Sequence, residues 1–207
     1  MGRNMPSSNE SPRGAVEEII AAINARDYDG LTKRIDLKAF IDIGYDDAID
    51  QLALNCDRFH EKYPDDLLFK FGATALRAYN ALFRSVHIGL IVAVINRYFK
   101  GTVEPPKSFS DDPIAFCSFY LQQLISKLKS EIVKEEQDKV TIKVTADGEY
   151  KNLIGTLKFE LETASVESQF KVIRIANVDE LVEPIVDIAE RVWPREWDRG
   201  IQLGIRN

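Results

Sequence analysis

Asp42, Asp46, Asp47 and Asp50 form the one acidic cluster at helical spacing, and Asp42, Asp46 and Asp50 fall on a single helix face. A row of carboxylates suits a hard cation such as calcium, but such sites also take carbonyls from a looped backbone. The spacing is better read as a solvated helix face or a complement to the helix dipole. Glu160 and Glu162 interleave with Leu157, Phe159 and Leu161, with Lys158 and Lys143 near them. Acid–base work would need one of these carboxyls desolvated. The alternation instead turns both toward water, as part of a cross-strand charge pattern.

His60 and His87 are the only imidazoles, and neither belongs to a metal-binding spacing. His60 falls in a charged helix end, where a basic side chain suits the dipole. His87 precedes an apolar run and reads as a half-buried, hydrogen-bonded side chain. Cys56 and Cys117 are too few for a disulfide framework or a zinc site, and each falls on an apolar stripe as a small buried hydrophobe. No serine has a G-x-S-x-G context, and the glycines form no phosphate-binding fingerprint. No catalytic, cofactor-binding or metal-ligating residue is assigned. The most unusual local feature is Trp193-Pro194-Arg195-Glu196-Trp197. Tryptophan and arginine are enriched where binding energy concentrates, so Trp193, Arg195 and Trp197 are the candidate partner-binding residues.

The elements that would position these residues follow from side-chain rhythm. Ser11-Pro12 caps a helix over 12–26, with Val16, Ile19, Ile20 and Ile23 on its buried face and Glu17 and Glu18 near its positive end. Asp27 to Gly30 turns into a short second helix ending near Ile35-Asp36. A longer helical pattern runs from Leu37 to Pro64. Leu68 to Phe99 is strongly apolar and is expected to break into two helices near Ser85 to Gly89. Its longest apolar run, Gly89 to Ile95, is too short to span a bilayer and reads as a buried helix. Asp112-Pro113 opens a helix through about Lys134, with Leu124, Leu128 and Ile132 on its stripe.

The period then changes from 3.6 to 2. Strands are predicted near 140–145, 157–162 and 169–176, with a hairpin at Asp147-Gly148 and a turn at Thr163 to Ser165. A last helix covers about 179–193, with Pro184 tolerable only in its first turn. The fold class is therefore α+β: a large helical segment over 12–135, a three-stranded antiparallel meander at about 140–176, and a C-terminal helix. Residues 1–10 read as a disordered tether and 11–207 as one domain, consistent with 207 residues. The polar start shows no signal peptide, although an anchor or signal could lie upstream of this chain. A net charge of −6 argues against nucleic acid or an anionic membrane as the main partner.

Ser11-Pro12, Val16, Ile19-Ile20, Ala22-Ile23, Arg26-Asp27, Leu31 and Ile35-Asp36 together resemble the start of small exported bacterial domains related to nuclear transport factor two, of cystatin-like α+β fold. Phe170 to Ile175 is similar to the closing strand of that group, so about a third of the chain carries the resemblance. It implies helices packed on a four-to-six-stranded sheet, a cone-like pocket between them, and a place at the cell envelope. No catalytic position of the enzymes in that group maps onto this chain, so the likeness carries no activity across. The reading is of a non-catalytic binding module without cofactor, taking a protein partner or a small apolar ligand. The alternatives are a pocketed enzyme with a carboxylate acid–base and Tyr120 as a pocket donor, or a structural homo-oligomer.

Overall fold

The computed structural model describes residues 11–101, 104 and 111–192. Helices come first: α1 (Pro12–Ala25), α2 (Tyr28–Arg34), α3 (Leu37–Leu54), α4 (Cys56–Lys62), α5 (Leu67–Lys70), α6 (Gly72–Phe99) and α7 (Pro113–Ile125). Strands β1 (Leu128–Glu135), β2 (Lys139–Ala146), β3 (Thr156–Val166) and β4 (Gln169–Ile175) follow, with the short helix α8 (Lys151–Ile154) between β2 and β3. Helix α9 (Val178–Val192) comes last. The sheet is antiparallel throughout, in the order β1-β2-β3-β4. The class is α+β, with the helical segment ahead of the strands.

Local chemistry sets the helix starts. Ser11 Oγ accepts from the Gly14 N–H at 3.0 Å, and Pro12 opens the helix where an amide hydrogen would go unused. Asp27, Asp36 and Asp112 cap α2, α3 and α7 in the same way. At Gly30 a Cβ would stand 2.3 Å from Asp27 Oδ2, so a side chain there would push the capping carboxylate aside. Glu17 and Glu18 lie beyond the first turn and act as ion-pair partners instead of dipole complements. Glu17 meets Arg13 at 2.8 Å, and Glu18 meets Arg34 of α2.

Several expectations are corrected. The helix expected over 113–134 ends at Ile125, and Leu128–Glu135 is a fourth strand paired with β2. Leu124, Leu128 and Ile132 recur every four residues, which is about one helical turn but also two pleats of a strand. Pairing decided between them: Leu128 faces Ala146 and Ile132 faces Ile142. The Leu37-to-Pro64 helix divides at Asn55, whose side-chain amide donates to the Gln51 carbonyl at 2.8 Å and competes with the helical ladder.

The expected break near Gly89 is absent, because one glycine costs a helix only about 1 kcal/mol and no proline interrupts the run. The Asp147-Gly148 signal opens a helical detour through α8, not a tight hairpin. The two-residue turn lies at Glu167-Ser168, beyond the predicted Thr163 to Ser165, which belong to β3. Both turn residues have positive φ (52° and 65°), as a hairpin turn matched to strand twist demands. Pro184 sits inside α9, not in its first turn.

The main core joins α1, α2 and the sheet through Val16, Ile19, Leu31, Val140, Leu161 and Val172. A second cluster packs Cys56, Phe59 and Phe69 against Val182 of α9, with the two phenyl rings stacked 5.1 Å apart. Helix α6 is not the buried helix expected. Its apolar side chains are largely exposed, and by length and composition it could cross a membrane.

Candidate functional site

Alternation along the strands sends Ile142 and Val144 of β2 and Leu157 and Phe159 of β3 to one face of the sheet. Ile19 and Ile23 of α1 stand across from them because residues four apart share one side of that helix. Tyr98 from the end of α6 and Leu124 of α7 close a flank, and Ile185 and Ile188 of α9 close another. Between these elements lies a cavity of about 580 Å³. That volume falls within the range of small-molecule sites, roughly 300–1,000 Å³.

The wall is aliphatic and aromatic. Among the described residues, no charged side chain lines it. Among the described residues its one hydroxyl belongs to Tyr98, which donates to the Ile23 carbonyl at 2.8 Å and is thereby occupied. Arg26 stacks over the same ring, 5.3 Å from its centroid, and donates to Gln122 Oε1 at 3.3 Å. Gln122 in turn donates to the Gly101 carbonyl at 2.8 Å. Arg26, Tyr98 and Gln122 thus tie α1, α6 and α7 together beside the chamber.

The sequence-selected residues lie elsewhere. Asp42 and Asp46 are ion-paired to Arg84 of α6, Asp42 also to Lys38, and Asp50 meets Arg77 at 3.9 Å. The cluster is therefore a helix–helix seam, and among the described residues no group of side chains is arranged to hold a metal. Glu162 faces Lys139 and pairs with Arg174 across the strands at 2.6 Å, while Glu160 faces Thr141. His87 lies in the seam too, with Nδ1 2.7 Å from Tyr45 Oη. That phenol also reaches Asn80 Oδ1 at 2.7 Å. It has one proton to give, so when it donates to Asn80, His87 Nδ1 donates to it. His60 ends α4, outside the chamber wall, with a buried Nδ1 that has no hydrogen-bond partner among the described residues.

The Cys56 thiol is buried and donates to the Phe69 carbonyl, and burial raises its pKa; Cys117 is partly buried, and burial raises its thiol pKa as well. Both shifts disfavour the nucleophilic thiolate. Tyr120, the expected pocket donor, is 47% exposed, packs at a tilt against Phe116, and does not line the chamber. Trp193, Arg195 and Trp197 lie outside the described residues. Tyr98, which does line the chamber, was not among the sequence candidates. Its signal was the stripe Ile88, Ile91, Ile95 and Tyr98, which continues the helical period to the end of α6.

A more polar groove of about 670 Å³ runs along α9, lined by Arg58, Glu183, Asp187 and Arg191 among others. Several of its charges already answer one another: Arg58 pairs with Glu183 at 3.0 Å and Lys62 with Asp187 at 2.7 Å. Compared with protein-family models, curated proteins and solved structures, the chain matches none of them.

Proposed function

We propose that this protein is a non-catalytic binding module whose helix–sheet chamber takes up a small apolar ligand. The observation that carries the reading is a 580 Å³ cavity walled by apolar side chains, whose single hydroxyl is already hydrogen-bonded. A ligand there gains from leaving water by about 25 cal/mol per Å² of apolar surface, and the lining side chains gain contacts they lack across an empty space. A polar substrate would lose its hydration without replacement partners.

The pocketed-enzyme reading needs an inward-facing carboxylate, and the described chamber wall offers none. The likeness to domains related to nuclear transport factor two supports the same proposal, since it implies a pocket between helices and an antiparallel sheet. The test is titration with N-phenyl-1-naphthylamine, an uncharged apolar fluorophore. Saturable, blue-shifted binding is expected for the wild type, weakened at least tenfold by Val144→Phe, which narrows the chamber between β2 and α1 while leaving the fold cooperative. Absence of saturable binding, or equal binding by a folded Val144→Phe variant, overturns the proposal.

A further inference from the structure

Helix α6 buries Leu76, Ile88 and Tyr98 among its described residues and leaves a longer row of apolar side chains exposed. The side that meets α3 carries Asn80, Arg84 and His87, engaged by Tyr45, Asp42 and Asp46. An exposed strip beside it carries Tyr79, Leu82, Phe83, Val86 and Leu90, with the Tyr79 and Phe83 rings against His87; Leu82 is 76% and Val86 54% exposed. A water-facing helix places these groups the other way round. Paired polar side chains beside a continuous exposed apolar strip suit a helix that meets lipid along one side.

Charge distinguishes lipid from a protein partner. From Leu67 to Lys100 there is no aspartate or glutamate, although the whole chain carries −6. The same stretch holds Lys70 before the helix and Lys100 after it, while Arg97 in its last turn is paired with Asp112 at 3.1 Å. Basic side chains at both ends of an apolar helix can extend to phosphate headgroups while their stems stay in the apolar layer. The acids that balance Arg84 and Arg77 all come from α3, on the far side of α6. Because α3 and α7 hold α6 along its other side, lipid cannot surround it. The helix can lie along a surface but cannot cross.

We propose that the outward face of α6 docks this protein on an anionic lipid bilayer, with the helix, about 42 Å long at 1.5 Å per residue, lying in the headgroup plane. This rests on the helix surface alone and stands or falls independently of the chamber.

The test is flotation of the full chain with vesicles of phosphatidylglycerol and phosphatidylcholine, beside vesicles of phosphatidylcholine alone. Co-flotation is expected, stronger on the anionic vesicles. It should fall at least tenfold for Leu82→Asp/Val86→Asp, partially for Leu82→Ala/Val86→Ala, and not at all for Val133→Asp, an exposed apolar site on β1. Circular dichroism confirms that each variant is folded. Failure to float, or flotation indifferent to these substitutions, overturns the inference. So does light scattering that shows a dimer dissolved by the aspartates with no vesicle binding, which would assign the face to a second copy.

Discussion

Glu18 and Arg34 show how a single pair can hold two elements in place. Arg34 is nearly buried; its Nε and Nη2 both donate to the Glu18 carboxylate, and its Nη1 reaches the Phe170 carbonyl of β4. The Arg34 hydrogen bonds hold the Glu18 carboxyl below its usual value of 4.5. A carboxylate whose folded pKa is depressed adds stability above its unfolded pKa and loses it as pH falls through the folded one. Glu18→Gln should therefore cost about 1 kcal/mol at pH 7, a figure kept small because the Glu18 side chain is 38% exposed. The gap to wild type should close in denaturant melts below about pH 4.5. A gap that stays constant from pH 7 to pH 3 would mean that the pair contributes nothing through its charge.

At the scale of elements, α6 is the instructive case. Gly89 lies in the middle of a 28-residue helix, and a Cβ built there meets nothing within 4 Å. Gly89→Ala should raise stability by about 0.5–1 kcal/mol, read as a higher urea midpoint at unchanged slope. A lower midpoint would show that glycine is needed there for close approach to something outside the chain. The same helix explains why a sequence reading of burial failed. Apolar residues around a full turn predict that the helix is covered, but not by what. β1 teaches a related lesson, since a four-residue apolar repeat satisfies a helix and a strand alike until a neighbouring strand supplies the hydrogen bonds.

Across the whole molecule, the chamber is assembled from α1 at one end of the described chain and α9 at the other, with the sheet as its floor. Filling it should therefore protect distant segments together. With the uncharged fluorophore bound, amide hydrogen exchange should slow in β2, β3, α1, α9 and the last turn of α6. The α4–α5 region, which packs Cys56, Phe59 and Phe69 against Val182 of α9 and lines no part of the chamber, should slow less. Slowing confined to one element would indicate a surface contact and not occupancy of the chamber.

What the sequence determined by itself is what depends on near neighbours along the chain. Aspartate and serine caps, the proline at a helix start and the period-2 alternation of β2 and β3 each act within a few residues, so they were readable in order. Tertiary structure alone decided what depends on residues far apart. Arg84 found Asp46 across a helix seam, Leu128 to Glu135 became a strand because β2 lay beside it, and aliphatic side chains from Val16 to Ile188 came to enclose an apolar space. Periodicity says which side of an element avoids water. Only packing determines whether that side meets protein, a cavity or the outside.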